Sequence, residues 1–92
     1  MAVTFRIPSP LRRLTDGNET VGVEGDTLAA VIDAAEFRYP GFKARLCDES
    51  GGLRGFVHIY VNTEDVRHLD GLGTAVKDGD EISIVPAVAG GG

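Results

Sequence analysis

Apolar and polar residues alternate in four segments of the chain, and this two-residue period predicts β-strands with one buried face. The segments cover residues 2–7, 20–24, 56–62 and 81–88, and a further short strand at a sheet edge is predicted at residues 64–69. Together they indicate a single sheet. The side chains expected to point into the core are Val3, Phe5, Ile7, Val21, Val23, Val57, Ile59, Val61, Ile82 and Ile84.

Residues 25–41 have a different pattern, with apolar side chains three and four positions apart, which predicts one amphipathic helix. Asp26 or Thr27 supplies its N-cap, and the Pro-Gly pair at 40–41 ends it. A short helical turn is expected around residues 42–46. The apolar stripe of the main helix consists of Leu28, Val31, Ile32, Ala35 and Tyr39.

The order of these elements, with two strands before the helix and two or three after it, predicts an α+β fold with the helix packed on one face of the sheet. Pro8 and Pro10 stop the first strand, and Asp16-Gly17 marks a turn before the second. We expect the first and last strands to pair in parallel at the centre of the sheet. The length predicts one domain, residues 1–86, followed by a flexible tail, residues 87–92.

Composition excludes several classes of function. The net charge is −5 and the basic residues form no concentrated face, so we expect no nucleic-acid partner; an acidic surface suits a partner with a basic face. No segment approaches the ~18 apolar residues that read as a membrane span, so no membrane association is expected. The single cysteine, Cys47, cannot form an internal disulfide, and the basic residues near the N-terminus follow the apolar ones, unlike a signal peptide. Both observations predict a cytoplasmic protein.

The body of the chain offers only weak candidates for metal-binding, catalytic or nucleotide-binding residues. His58 and His68 lack the spacing of a metal site, so we expect no bound metal. Cys47 has no activating neighbour in sequence and is expected to be a small buried residue rather than a nucleophile. The sequence GLG at 71–73 lacks a dinucleotide-binding pattern, and DGD at 78–80 predicts a turn rather than a calcium loop. We therefore expect no enzyme active site in the body of the protein.

The last residues, IVPAVAGGG at 84–92, offer another kind of chemistry. A terminal carboxylate is an anion at pH 7, with a pKa near ~3.5, and must be activated before its carbon can be attacked. Glycines have no side chain that would block a narrow enzyme channel. Residues 87–92 would reach roughly 20 Å when extended, at ~3.3–3.6 Å per residue, with Val88 able to anchor the tail in an apolar groove.

Three stretches, GDTLAAVI at 25–32, VHIYVNTEDVR at 57–67 and DGDEISIVPAVAGG at 78–91, resemble the ThiS/MoaD family of prokaryotic sulfur carriers, and within it the CysO-like branch of actinobacteria. The resemblance covers nearly the whole chain. It implies a ubiquitin-like β-grasp fold, with a mixed sheet of four to five strands and one main helix.

The resemblance also implies a function. An E1-like enzyme of the MoeB/ThiF type would adenylate the C-terminal glycine with ATP and magnesium, and a sulfur donor would convert the product to a thiocarboxylate. An acceptor enzyme would take the sulfur: a PLP-dependent cysteine synthase in the CysO-like branch, or another synthase that makes a cofactor or a thiosugar. A JAMM-type metalloprotease would release the added cysteine. The carrier would not itself be an enzyme and would bind no cofactor permanently.

The reactive residue is open between two glycines. The family ends in Gly-Gly, which corresponds here to Gly90-Gly91, and this chain has Gly92 in addition. We prefer Gly92, with Gly91 as the site if the chain is trimmed or if Gly92 is an artificial addition. Val88, Ala89, Gly90 and Gly91 are then the tail that enters the partner.

Two other functions remain open. The protein could be a ubiquitin-like modifier conjugated to lysines, although its tail has no basic residue, or a β-grasp interaction module with an inert tail. The outer sheet face, with Phe56, His58 and Tyr60, is the predicted docking surface for the activating and acceptor enzymes, because exposed aromatic residues often mark interfaces. The alternative is that Phe56 or Tyr60 packs under the segment at residues 63–76.

Overall fold

The computed structural model describes residues 1–86. They form one five-stranded mixed sheet with two α-helices and three 3-10 helices. The strands are β1 (Ala2–Arg6), β2 (Thr20–Glu24), β3 (Val57–Val61), β4 (Glu64–Asp65) and β5 (Glu81–Pro86). The helices are α1 (Leu28–Arg38) and α2 (Phe42–Leu46), with 3-10 helices at Ser9–Thr15, Val66–His68 and Gly71–Gly73.

The order of the strands across the sheet is β2-β1-β5-β3-β4. β5 pairs in parallel with β1 and antiparallel with β3, which confirms the expected central pairing of the first and last strands. The β1–β2 and β3–β4 pairs are antiparallel hairpins. β5 is therefore held on both sides, and its end at Pro86 is the point from which the chain continues into residues 87–92.

One face of the sheet is buried against α1, as the alternation of apolar residues predicts. Every strand residue expected to point inward is less than a tenth exposed, and so are Leu28, Val31, Ile32 and Ala35 of α1. The ring of Phe42, from α2, packs edge-on against that of Phe5 with centroids 5.6 Å apart. Tyr39, predicted to be in the stripe, lies at the end of the helix and is only partly buried.

Capping determines where α1 begins. The Thr27 hydroxyl accepts a hydrogen bond from the Ala30 N–H at 3.2 Å, so Thr27 rather than Asp26 is the N-cap. The helix stops at Arg38, two residues before Pro40, and Gly41 then adopts a φ of 101°, which is easily reached only without a side chain. The short helical turn predicted at residues 42–46 is confirmed as α2.

Three local expectations differ from the structure. The segment between β1 and β2, where only strand-stopping prolines and a turn were expected, contains a 3-10 helix at Ser9–Thr15. The edge strand expected at residues 64–69 is limited to Glu64–Asp65, because the chain turns into a 3-10 helix at Val66–His68. Phe56 precedes β3 rather than belonging to it, and its side chain is half exposed.

Within residues 1–86 no helix is long and apolar enough to span a membrane.

Candidate functional site

The predicted reactive tail lies outside the described residues. This applies to Gly92 and Gly91, and to Val88, Ala89 and Gly90 as the segment that enters a partner. The structure does describe the surface from which this tail departs. Pro86, the last residue of β5, is in register with Val57 at the start of β3. The candidate site is therefore the surface around Val85 and Pro86.

A groove of about 400 Å³ lies beside Pro86, and we call it the tail-base groove. It is lined by Leu11, Ala44, Arg45, Arg54, Phe56, Val57 and Pro86. Its residues come from four separate parts of the chain: the first 3-10 helix, α2, the loop before β3, and β3–β5. Apolar side chains and two guanidinium groups thus share one concave surface at the base of the tail.

Helix α2 positions its two groove residues by burying Phe42 and Leu46 against the core. Phe42 and Leu46 are almost fully buried, which leaves Ala44 and Arg45 exposed on the opposite side of this short helix. The start of the helix is fixed by the Glu36 carboxylate, which accepts hydrogen bonds from the N–H groups of Gly41 and Lys43 at 2.8–3.2 Å.

Arg54 is held by four hydrogen bonds, one of which is donated to its carbonyl by the Val57 N–H at 3.1 Å. Its backbone N–H donates to the Leu46 carbonyl at 2.9 Å, and its Nε donates to the Ala44 carbonyl at 3.0 Å. Its own carbonyl accepts from Nη2 of Arg67 at 2.9 Å. The loop before β3 is thereby fixed against α2, and the groove has a defined shape without any ligand.

The predicted docking residues lie next to this groove on the outer sheet face. His58 and Tyr60 are half-buried on β3, in register with Val85 and Ser83 of β5. Phe56 is 51% exposed and Val85 is 47% exposed. The exposure of Phe56 excludes the possibility that it packs under the segment at residues 63–76. The docking role of these three residues stays a prediction, but they form a surface continuous with the base of the tail.

His58 is part of a polar cluster rather than a metal site. Its Nδ1 lies 3.2 Å from Nη1 of Arg67 and 3.7 Å from a carboxylate oxygen of Asp65. The backbone N–H of Arg67 donates to Asp65 and is the main cause that lowers the pKa of this carboxyl group. His68 is exposed on the adjacent 3-10 helix. Across residues 1–86 there is no group of three His, Cys, Asp or Glu side chains arranged to hold a metal ion.

Cys47 is buried at the end of α2, as expected for a small apolar residue. Burial is the main cause that raises its pKa, so the thiol stays protonated near neutral pH. A protonated, buried thiol is a poor nucleophile, and the geometry gives no support to a catalytic role for this residue.

Sequence reasoning missed Arg45, Arg54 and Leu11 as members of the candidate site. No local motif marks them, since they lie far apart in the chain and meet only through the packing of α2 and the first 3-10 helix. The one available signal is composition: seven of the nine basic residues are arginine, the residue suited to bidentate recognition of carboxylates.

Comparison with known proteins gives a consistent result. The sulfur carrier protein CysO of Mycobacterium tuberculosis is 54% identical over 93 aligned positions, which cover 99% of this chain and all of the relative. A chain in the crystal structure of the Amycolatopsis orientalis BexX/CysO complex matches with a TM-score of 0.91 and 49% identity, covering 96% of this chain and 98% of that one. The small archaeal modifier protein 3 of Haloferax volcanii is 42% identical over 71% of this chain and 70% of its own length.

The family model that matches this chain covers residues 5–91, a range that includes the end of β1, the other four strands, both α-helices and the tail up to Gly91. The β-grasp fold expected from the sequence is confirmed by the agreement with the CysO structures. The chain belongs to the ThiS family.

Proposed function

We propose that this protein is a sulfur carrier whose C-terminal glycine is converted to a thiocarboxylate. The observation that carries the proposal is the similarity to CysO along the whole chain, together with a family match that extends through Gly90 and Gly91. A likeness limited to the sheet and helices would support only the fold, because one fold serves many functions.

The proposed chemistry has two steps. The carboxylate of Gly92, or of Gly91 after trimming, attacks the α-phosphate of ATP on a partner enzyme, which forms an acyl-adenylate and releases pyrophosphate. A sulfur nucleophile, represented by hydrosulfide in the simplest case, then attacks the acyl carbon and expels AMP. The thiocarboxylic acid that forms, –COSH, releases its proton to water and leaves –COS⁻. ATP and magnesium are bound by the partner, and the carrier contributes the tail and the surface that positions it.

The surface is proposed to be the outer sheet face with Phe56, His58 and Tyr60. Its support is the exposure of Phe56 and Val85 next to the base of the tail. If this face docks the activating enzyme, Tyr60→Ala will weaken the enzyme–carrier complex about tenfold, since buried aromatic residues dominate many interfaces. Phe37→Ala is the matched control, because Phe37 is 89% exposed on α1, on the other side of the molecule. Equal affinities for the two variants would remove this face from the proposal.

The partners follow from the same resemblance. We propose an E1-like enzyme of the MoeB/ThiF type as the activating partner. The acceptor is proposed to be a PLP-dependent cysteine synthase or another sulfur-accepting synthase, and a JAMM-type metalloprotease would release the product. Support for docking to a partner protein comes from the BexX/CysO complex, which contains a chain similar to this one. The proposed use of ATP fits the cytoplasmic location predicted from the sequence.

Intact-protein mass spectrometry tests the carrier function. The full chain is incubated with ATP, magnesium, a sulfide source and the E1-like enzyme of the same organism. A gain of about 16 Da means that one carboxylate oxygen has been replaced by sulfur, and fragmentation assigns it to Gly91 or Gly92. A chain lacking both glycines is the control, and a gain of the same mass in that chain would contradict the proposed site.

Protein modification is a second candidate, favoured by the similarity to the archaeal modifier protein 3. Activation would be the same, but the acyl group would pass to a lysine amine. This function predicts covalent conjugates of higher mass, which denaturing gels of cells carrying a tagged chain would reveal. An inert interaction module would instead keep its full function without Gly91 and Gly92.

A further inference from the structure

Positive charge is concentrated at the end of β5, although the chain as a whole carries a net charge of −5. Two cavities flank the last residues of this strand: the tail-base groove beside Pro86, and a second one beside Ile84 and Val85. Together they are lined by four arginines and a single carboxylate. These residues are Arg6, Arg12, Arg45, Arg54 and Glu19.

The two cavities differ in how their arginines are paired. In the second cavity, Arg6 lies 3.5 Å from Glu81 and Arg12 lies 3.7 Å from Glu19. In the tail-base groove, neither Arg45 nor Arg54 has a carboxylate within ion-pair distance in residues 1–86. Arg54 also lines an adjacent cavity with Glu36, Asp48 and Glu49 and helps to lower the pKa of Asp48, so its charge is partly compensated at longer range. Within residues 1–86, the uncompensated positive charge of the groove is therefore mainly that of Arg45, next to Pro86.

The Arg54 guanidinium is already oriented. Its Nε is occupied by the Ala44 carbonyl at 3.0 Å, while in residues 1–86 neither of its Nη groups has a hydrogen-bond acceptor. A side chain fixed at one nitrogen loses less conformational entropy when the other nitrogens bind a ligand. Carboxylates are the natural ligands of such a group, since they accept two parallel hydrogen bonds from it.

We propose that the tail-base groove binds an acidic segment of the activating enzyme, at the mouth of the channel that takes up the tail. The inference rests on the proposed function and adds the chemistry of the contact. The occupant carries at least one carboxylate for Arg45 and Arg54, and it carries an apolar side chain for the surface formed by Leu11, Phe56 and Pro86.

The location explains why this segment belongs at the mouth of the channel. Pro86 lines the groove, and residue 87 begins the segment that the enzyme must take up. An enzyme that reaches the C-terminal glycine through a narrow channel brings the rim of that channel against the base of the tail. Complementary charge at such a rim steers association and fixes the orientation of the two partners.

The test uses charge reversal at two positions with the same change in net charge. Arg45→Glu places a carboxylate in the groove, and Lys77→Glu places one in the turn before β5, at the opposite end of the strand. For both full-length variants and the unmodified chain, the dissociation constant for the activating enzyme and the KM and kcat of adenylation are measured at about 50 and 300 mM salt. Thermal unfolding checks that each variant is folded.

We expect Arg45→Glu to raise the dissociation constant and KM about fivefold or more at low salt, with kcat unchanged, because an interfacial like-charge contact opposes binding. The effect should shrink at high salt, since the Debye length is only about 5–6 Å there. Lys77→Glu should change both constants less than twofold. Arg54→Gln, which retains a polar side chain, should weaken binding without reversing the charge.

Equal effects of Arg45→Glu and Lys77→Glu would overturn the proposal, because only net charge would then matter. Tighter binding by Arg45→Glu would also overturn it, since the groove would then be covered by another segment of the same chain or by a second copy. Failure of the carrier function is recognised separately. In that case the unmodified chain gains no mass at saturating enzyme, whatever the affinities of the variants.

Discussion

The two ends of β5 use charged side chains in opposite ways. At its start, the Asp80 carboxylate accepts hydrogen bonds from the Lys77 N–H at 2.8 Å and from the side-chain amide of Asn62 at 3.1 Å. The Asp80 carbonyl accepts from the Thr4 N–H at 3.0 Å, and the Glu81 N–H donates to the Asn62 side chain at 3.1 Å. Here the polar groups are used to fix the backbone.

At the end of the same strand, charged groups are left available. Arg45 and Arg54 have no carboxylate partner in residues 1–86, and Val85 is 47% exposed on the outer face. The domain thus anchors β5 at the end that is far from the predicted chemistry. It keeps the end near the tail accessible to a partner. Substitutions at the start of β5 should therefore change stability, and those at its end should change recognition.

The largest expected effect comes from shortening an apolar side chain within β5. Ile82 is fully buried between β1 and β3, so Ile82→Ala should lower the free energy of unfolding by about 2–5 kcal/mol. Val85→Ala, three positions further along, should cost less than about 1 kcal/mol, because that side chain is half exposed. Urea denaturation measures both. Equal losses would mean that the two ends of the strand do not differ in the way described.

Removal of the Asp80 carboxylate should have the next largest effect. Asp80→Ala leaves the Lys77 N–H and the Asn62 amide without their acceptor and should cost about 1–3 kcal/mol. Glu64→Ala is a suitable control, because Glu64 is exposed on β4 and its side chain makes no hydrogen bond or ion pair in residues 1–86. If Asp80→Ala lowers the free energy of unfolding no more than Glu64→Ala does, the Asp80 carboxylate does not stabilise the start of β5.

Lowering the pH should weaken the hydrogen bonds by which the Asp80 carboxylate fixes the start of β5. Hydrogen bonds from the Lys77 backbone and the Asn62 side chain lower the pKa of Asp80 below its ordinary value. A group with a depressed pKa in the folded state stabilises the fold above its unfolded value, near 4, and this stability is lost as the pH falls through the folded value. Between pH 5 and pH 3 we therefore expect Asp80→Asn to lose less stability than the unmodified chain, as urea denaturation at a series of pH values would measure. Parallel pH profiles for the two proteins would contradict this assignment.

The smallest effect on stability is expected at the other end of the strand. Arg45 is exposed and makes no side-chain hydrogen bond or ion pair within residues 1–86, so Arg45→Gln should change the free energy of unfolding by less than about 0.5 kcal/mol. Arg54→Gln also removes the hydrogen bond to the Ala44 carbonyl and should cost up to about 1 kcal/mol. Thermal or urea unfolding distinguishes the two. If Arg45→Gln lowers the free energy of unfolding more than Arg54→Gln does, Arg45 stabilises the fold and is not reserved for binding a partner.

The sheet could be predicted from the sequence because its alternation is regular and its two hairpins are local. The 3-10 helix at Ser9–Thr15 could not. Pro8 and Pro10 predict the end of a strand, but a proline also fits the first turn of a helix, and the two outcomes have the same local sequence. The helix is stabilised by the buried Thr15 hydroxyl, which can donate to the carbonyls of Arg12 and Asn18, a tertiary detail with no sequence signature.

The candidate site was predictable in part for a different reason. Phe56 is exposed, and the chemistry of the tail follows from its terminal glycines, which any reader of the sequence can see. The tail-base groove depends on contacts between residues such as Leu11, Arg45 and Pro86, which are distant in the chain. The periods of two and about 3.6 residues describe only residues that are close together in the sequence. They therefore do not predict contacts between segments that are distant in the chain.

The parallel pairing of β1 with β5 has a consequence for the time at which the protein becomes a substrate. The paired side chains of Arg6 and Glu81 are 75 positions apart in the chain. Contacts of such long range form slowly, because the entropy cost of closing a long loop comes before any stabilising contact is made. An unfolded chain already possesses its terminal glycines, but it has neither the groove nor the outer sheet face. Recognition through these surfaces would make folding a condition for activation, so that sulfur is loaded only onto chains that have completed the sheet.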